Sequence, residues 1–563
     1  MANAPLRRIR RLISLPAEQL GGRLLYRLGR PIFSSGLYNR SRRSPADGAI
    51  RSVAADPWPG DPARGREIAK GMFRLAGQVV REPAPLGGPI GADENWRVAF
   101  NGFGWLGDLM ALGPGAAPVA RAFVERWLEE NQGWDPIASR PDVMGQRLSQ
   151  WLAEAALLDE TGDPQLRSLI HAAVGRHGRH LARVLPAGLA GQPLLRAIKG
   201  LIYAGLALDG EGDKLLAHGL KHLAKALPNQ LLADGGHVER SPAVQLSALR
   251  DLVDLRAALE ATGREPPSDL SLAIDAMAPV LRMFQSGDGG LALFNDSDEG
   301  PEGAVDLILL RANAKAKPLA SAPDSGFQRL AAGPAVLLVD AGRPVPAGFD
   351  GHAHAGSLSF EFYHGEDRVI GNCGAQAAGG DWLSAQRATA AHSTLTVEDT
   401  NSSTLLPDGR GLARRPAAVT CRREEEDGNQ WLDMSHDGYQ PNFGLVHHRH
   451  LFLSADGNDL RGHERLDGMG AKRGRARQFA VRFHLHPQVL ASISQDGQAV
   501  LLRPPGGGGF RLRSSGGEIG LAESVYLGRP GEMRRSQQVV IAGEIKGGNA
   551  EIKWALTRES KKK

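Results

Sequence analysis

The segment Gly351-His-Ala-His-Ala-Gly-Ser-Leu-Ser-Phe360 is the densest concentration of chemistry-bearing side chains in the sequence. Alternate residues of a strand share a face, so His352 and His354 are expected to present their rings to one side. Such a pair supplies two metal ligands, or one ligand and one acid–base group. Rings satisfied by hydrogen bonds in a polar core are the competing reading. His392 follows in Thr389-Ala-Ala-His-Ser-Thr-Leu-Thr396, and His447, His448 and His450 lie close together further on. Earlier in the chain, Asp234-Gly-Gly-His-Val-Glu-Arg-Ser-Pro242 separates two helical patterns. Its glycines make a tight turn, and Ser241 before Pro242 suits a helix N-cap with proline in the first turn. That leaves His237, Glu239 and Arg240 in one loop as an acid–base and anion-binding set. Asn101-Gly-Phe-Gly-Trp-Leu-Gly-Asp108 sets an amide and aromatics beside flexible backbone. Asn101 and Trp105 read either as a sugar-binding surface or as a staple into the core.

Two kinds of element must position these residues. From Arg64 to Ser286, apolar residues recur at i, i+3, i+4 and i+7 in Arg121–Asn131, Met144–Leu158, Gln165–Leu185, Leu194–Leu208, Lys214–Leu227, Pro242–Thr262 and Leu270–Phe284. Short turns such as Asp209-Gly-Glu-Gly-Asp213 make consecutive helices antiparallel neighbours. Without a sequence repeat, a ring of helical hairpins is favoured over a solenoid. Beyond Ala312 the period becomes two, as in Ala335–Asp340, Ser357–Tyr363, Thr394–Glu398, His450–Ser454, Phe479–His486, Val500–Arg503, Phe510–Arg513 and Gln537–Ile541. Short strands with no intervening helices predict an antiparallel β-sandwich. The expected architecture is α+β and multidomain: a basic arm and linker at 1–55, a helical domain at 56–315 and a β-sandwich domain at 316–563.

Composition narrows the function. The 563 residues are 42% apolar and 23% charged, as in a folded globular protein. No apolar run reaches the roughly 18 residues that a membrane helix requires. Cys373 and Cys421 are the only cysteines, which excludes a disulfide framework and a four-cysteine zinc site. Residues 1–43 carry ten arginines against the single acid Glu18, leaving a mildly acidic body. A basic end on such a body suits an anionic surface, with a solvated arm as the alternative. Ile9, Leu12, Ile13, Leu20, Leu24 and Leu25 alternate with arginines, which favours an amphipathic helix on an anionic membrane. The arm lacks the apolar run of a clear signal peptide. Nucleic acid is not an expected partner, because no recognised binding motif is present.

Taken in order, Asp234-Gly-Gly-His237, Phe294-Asn-Asp296, Gly351-His-Ala-His-Ala355 with Ser357-Leu-Ser-Phe-Glu361, and Ala391-His-Ser-Thr-Leu395 resemble the heparinase II/III family of polysaccharide lyases. The resemblance spans roughly residues 55–545. It implies an incomplete (α/α) toroid followed by a C-terminal antiparallel β-sandwich, in agreement with the periodicity. It also implies a carbon–oxygen lyase acting by β-elimination on a uronic-acid polysaccharide, in the cell envelope or periplasm. In this pattern His352 lies in the active cleft, and Asn295, Glu239, Asn101 and Trp105 are substrate-binding candidates. His354 and His392 resemble ligands of one divalent metal, zinc. An aspartate expected to complete that set is replaced by Asn372, and a neutral amide is a poor zinc ligand. An expected Asn-His pair reads Gln192-Pro193, and Val244 lies where a tyrosine is expected.

With those positions altered, His237 and His352 are the candidates for base and carboxylate neutraliser, with Arg240 on the uronate. Tyr439, in His436-Asp-Gly-Tyr-Gln-Pro-Asn442, is the candidate leaving-group acid, with a tyrosine packed over Pro441 as its bland counterpart. The alternative function is a catalytically altered carbohydrate-binding envelope protein of the same fold. A glycoside hydrolase would need two carboxylates flanking a cleft. Asp108, Asp234, Glu239, Asp296 and Asp298 offer no recognisable pair.

Overall fold

The computed structural model describes the chain except for residues 1–14, 42–49, 83–85, 87, 90, 155–163, 376–380, 408–409, 469–476, 530 and 560–563. The first fourteen residues of the basic arm and the Lys561-Lys-Lys563 tail therefore lie outside the described residues.

The fold is an N-terminal incomplete toroid of helices followed by a C-terminal antiparallel β-sandwich. The predicted helical patterns fall on Ala117–Glu130, Pro141–Ala153, Pro164–Val184, Gly191–Ala207, Gly212–Gln230, Pro242–Ala261 and Ser268–Met283. Gly191–Ala207 is buried along most of its length, which fits its run of apolar residues on every face. Small residues set its spacing to Pro141–Ala153. A Cβ on Gly200 would stand 2.3 Å from the Cα of Gly145, so neither position tolerates a side chain without separating the helices. Before these, Ala17–Phe33 forms a helix with two unlike faces. Arg23 Nε donates to Gly188 O (3.1 Å) and Tyr26 Oη to Ser139 O (3.0 Å). Leu20, Leu24, Leu25, Leu28 and Ile32 are exposed.

The sandwich pairs two sheets. One runs Val419–Glu426, Asn429–His436, Leu445–Leu453, Asp459–Gly468, Ala550–Glu559, Gly509–Ser515, Ala499–Arg503, Leu490–Ile493. The other runs Glu518–Arg529, Glu532–Ile545, Arg477–Leu485, Asp367–Gly371, Phe360–His364, Ala335–Asp340, Phe327–Ala332, Ser321–Ala322, with Leu395–Val397 also on Arg477–Leu485. Alternate residues of both sheets, among them Leu337, Val339, Phe360, Leu451, Leu453, Phe483, Ile541 and Leu556, form one continuous core. Asp427-Gly joins the first two strands with positive φ at both positions (50° and 78°), as the right-handed twist of a hairpin demands.

One detail differs from the sequence reading. Gly351-His-Ala-His is not a strand: Asp350–His352 is a single 3₁₀ turn, and the strand begins only at Phe360. By packing, the chain forms two compact units that interleave in sequence. One compact unit comprises Leu15–Gln230 with Ser247–Ile274, the other Leu231–Leu246 with Asp275–Lys563. The loop carrying His237 and Glu239 thus belongs to the same unit as the β-sandwich, although it is surrounded by helices in the sequence.

Candidate functional site

The site is built on four loops of the sandwich unit. The first is Asp234–Ser241. Gly235, at φ +86°, packs so closely that a Cβ would meet Ala276 O at 2.0 Å. Asp234 accepts from Gly236 N (2.9 Å) and Ser325 N (2.6 Å), closing the turn. His237 N donates to Gln245 Oε1 (2.7 Å), and its Nδ1 accepts from Glu239 N (3.2 Å). The neutral ring therefore carries its proton on Nε2. Burial pushes the His237 pKa down, and the Glu239 carboxylate only partly offsets this.

The second loop, Phe294-Asn-Asp296, holds two consecutive non-glycine residues in the left-handed region, Asn295 at φ +47° and Asp296 at φ +57°. Such conformations cost about 1–3 kcal/mol each and persist only where the surroundings impose them. Here they are imposed by hydrogen bonds. Asn295 Nδ2 donates to Arg240 O (2.7 Å), and its Oδ1 accepts from His354 N (3.0 Å). Asn295 is thus a brace between the loops and not a group aimed at substrate.

Asp296 is the hub. Its Oδ2 meets His352 Nδ1 (3.1 Å), its Oδ1 meets His354 Nε2 (2.7 Å), and Arg387 pairs with both carboxylate oxygens. Burial opposes the charge of Asp296, but Arg387 and the two histidines outweigh it and hold the carboxyl well below its ordinary range. The two histidines reach one carboxylate even though they do not share a strand.

His352 and His354 then part company. The His352 side chain is 40% exposed, and its Nε2 lies 3.7 Å from Glu239 Oε2. Burial disfavours its charge, yet the bond to Asp296 and the Glu239 carboxylate prevail and raise its pKa. His354 is buried, and its Nδ1 faces His392 Nε2 at 3.0 Å. His392 Nδ1 donates to Ala388 O (2.8 Å), so His392 Nε2 accepts from His354. Gly356 makes room for this, because a Cβ there would lie 2.7 Å from the His392 ring. Burial drives the pKa of both rings down. The result is an Asp296–His352 dyad open to solvent, backed by an internal His354–His392 pair. A carboxylate on Nδ1 fixes the imidazole's orientation and leaves Nε2 to move a proton, as in other Asp–His pairs.

Comparison with known proteins identifies the fold that holds this arrangement. Residues 314–555 match the family model described as heparinase II/III-like, C-terminal. The chain is 32% identical over 548 residues to FtsZ-localized protein C of Caulobacter vibrioides (strain NA1000 / CB15N), covering 93% of each. The chain belongs to the heparinase II/III-like family. Among solved structures, heparinase III superposes with a TM-score of 0.70 at 15% identity, covering 93% of this chain and 88% of that one. A heparan sulfate lyase HepC mutant from Pedobacter heparinus gives 0.61 at 14% identity, covering 94% and 87%. At such identities the likeness is one of fold.

This heparinase II/III-like chain brings together His237, Glu239, His352, His354 and His392, but does not present the other candidates to a ligand. Arg240, at φ +50°, turns its guanidinium inward to Asp340 and Ser325 O, over the Phe327 ring. It is spent on a buried ion pair. Tyr439 is fully buried in the sandwich core, and its hydroxyl donates to Leu395 O (2.6 Å). Burial pushes that phenol up, away from acid–base use. Asn101 is fully buried in the helical unit between Arg97 O and Trp127 Nε1, and Trp105 Nε1 donates to Phe100 O (2.9 Å). Both belong to an aromatic core with Phe73, Phe100 and Phe103.

Nor does the donor set fit zinc. His354 and His392 spend ring nitrogens on each other. Asn372 Nδ2 donates to Glu361 Oε1 (3.2 Å), and its Oδ1 accepts from Ser393 N (3.0 Å). Among the described residues no three His, Cys, Asp or Glu side chains converge as metal donors. Val244 is buried in the first turn of its helix, and Gln192 is buried in the first turn of Gly191–Ala207. Arg387, which sets the charge of the hub, carried no signal in the sequence: within Leu383-Ser-Ala-Gln-Arg387 it reads as a surface residue.

Proposed function

We propose that the protein is a lyase that cleaves a uronic-acid-containing polysaccharide by β-elimination at the His352 site. The oriented, solvent-open Asp296–His352 dyad carries this reading. In the reaction the C5–H bond breaks, its electron pair forms the C4=C5 bond, and the C4–O4 bond breaks. Neutral His352 Nε2 takes the C5 proton and returns it to O4 as that oxygen leaves, which one imidazole achieves when both groups lie on one face of the sugar. Asp296 and Glu239 stabilise the imidazolium formed between the two transfers. His237, protonated on Nε2, is the donor assigned to the uronate carboxylate, where hydrogen bonding makes the C5 proton more acidic. No step requires a metal. Ultraviolet absorbance of the unsaturated uronate, followed across a panel of acidic polysaccharides with wild type and His352→Ala, tests the proposal. A signal lost in the variant supports it, and turnover unchanged in the variant refutes the role of His352.

A second reading, a carbohydrate-binding protein with altered chemistry, is favoured by the commitment of Arg240 and Tyr439 to the core and by Gln192, Val244 and Asn372. The relative named for its localization with FtsZ is in keeping with it. Saturable polysaccharide binding with no new double bond would establish this reading and exclude the first.

We infer further that the helix Ala17–Phe33 lies on an anionic membrane surface, which would place the protein at the cell envelope. Support comes from the exposed stripe of Leu20, Leu24, Leu28 and Ile32 flanked by exposed Arg23, Arg27 and Arg30. Among the described residues no helix is long and apolar enough to cross a membrane. Co-sedimentation with anionic liposomes should be lost in a Leu24→Asp/Leu28→Asp double variant, and unchanged binding would retire the inference.

A further inference from the structure

The outer face of the eight-stranded sheet holds a trough of about 580 Å³, a size typical of ligand sites, in the middle of five strands. Register defines its floor. Along one rung the residues are Trp431, Phe452, Arg461, Ala555 and Arg513, and along the next Asp433, His450, His463, Lys553 and Ser515. Ala555 is the one small residue of the first rung, and the trough sinks over it. Strands lie about 4.8 Å apart, so Arg461 and Arg513 stand roughly 10 Å from each other across that alanine.

The walls have a consistent chemistry. Trp431 and Phe452 pack with ring centroids 5.3 Å apart, and the Arg461 guanidinium lies over Phe452 at 5.6 Å. His450 and His463 stack at 5.5 Å. Arg461 and Lys553 are exposed and paired with Asp459 and Glu551, whereas Arg513 is exposed with no ion-pair partner among the described residues. A partly exposed aromatic pair beside Arg513, with Asp433 held by His450 and with Asp459 and Glu551 held by the other two cations, matches a ligand with a flat, weakly polar face and negative substituents. All five strands are paired on both sides, so no backbone edge is free to add a peptide strand. A pyranose chain bearing carboxylate or sulfate groups meets the face through side chains alone.

We propose that this sheet face is a binding site for an acidic saccharide chain, separate from the His352 site. Sugar rings stack on Trp431 and Phe452 while Arg513 and Lys553 take the anionic groups. The site holds a polysaccharide whether or not the His352 site turns it over.

The test is isothermal titration of the full chain with heparin and alginate oligosaccharides, using wild type, Trp431→Ala, Arg513→Glu and His352→Ala. Trp431→Ala and Arg513→Glu should each weaken binding about tenfold, the loss expected on removing one interface anchor, while His352→Ala retains a saturable site of wild-type affinity. Arg513 is exposed, so its variant remains informative if Trp431→Ala fails to fold. Affinity unaffected by either sheet variant, binding lost only in His352→Ala, or no binding of either saccharide would overturn the proposal. So would binding of polyglutamate, but of neither saccharide, that depends on Arg513, since that identifies an acidic peptide as the occupant. A change in sedimentation coefficient in Arg513→Glu without saccharide binding would identify a second copy of the chain, and would overturn it equally.

Discussion

Two histidine clusters lie within the same β-sandwich unit, and they have opposite fates. Around Asp296, His352 keeps its ring two-fifths exposed and its pKa is raised by carboxylates. In the eight-stranded sheet, His447 is wholly buried between His436 and Glu464, with Nε2 2.8 Å from Glu464 Oε2. Glu464 also receives Arg449 Nε and Trp554 Nε1. Burial opposes its charge, but Arg449 and His447 outweigh this and hold its carboxyl down to about 2. Arg449 in turn donates to Leu358 O and Ser393 O, bracing the backbone of the two loops that carry His354 and His392. One cluster is therefore open to solvent, as the proposed proton transfer requires, and the other anchors the scaffold beneath it. Solvent access decides between these roles, and histidine density does not.

That contrast is open to direct attack. Glu464→Ala should produce the largest stability loss, about 3–5 kcal/mol by urea unfolding, because it strands the buried Arg449 charge. A loss below 1 kcal/mol would mean the cluster is no anchor. His352→Ala should reduce elimination about 10²–10⁴-fold with the unfolding midpoint unchanged, since an exposed proton-transfer group carries rate and not stability. A comparable loss of stability would make the two clusters alike.

Acid should weaken the scaffold through His484, whose ring lies between Ser524 Oγ and Ala390 O. Burial pushes its pKa down to about 4 from an ordinary 6.5. The folded state thus keeps the ring neutral while the unfolded chain takes a proton below 6.5. Its contribution is complete above pH 6.5 and is lost as pH falls toward 4, amounting to about 3 kcal/mol. Urea midpoints measured across that window should fall, and His484→Gln should flatten the slope. The smallest effect expected is that of Tyr439→Phe. It removes one buried hydrogen bond to Leu395 O, costs about 1 kcal/mol and leaves elimination intact. Loss of turnover in this variant would restore Tyr439 as the acid.

Much of the architecture was legible because burial writes a period into the chain. The helix Gly212–Gln230 and the strands Ala335–Asp340 and Arg477–Leu485 show this from different sides. The Asp427-Gly turn carries the same kind of local signal, since few residues accept two positive φ values in succession. Glycine placement in Asp234-Gly-Gly-His also marked that loop of the site, whereas Gly351-His-Ala-His, expected on a strand, forms a 3₁₀ turn. Roles within those loops were not legible. Arg240 and Arg387 are both arginines near histidines in the sequence, but Arg240 is consumed by Asp340 while Arg387 fixes Asp296.

The sequence by itself determined the order of helices and strands, the tight turns and the residue types available for proton transfer, because each depends on neighbours within a few positions. Only the tertiary structure decided which carboxylate meets which imidazole and which polar groups remain open to water. Asp296 lies 56 residues from His352 and 91 from Arg387, and Tyr439 lies 44 from the carbonyl that buries its hydroxyl. Desolvation and charge pairing act over a few ångströms of space, and no local spacing encodes which distant groups will share them.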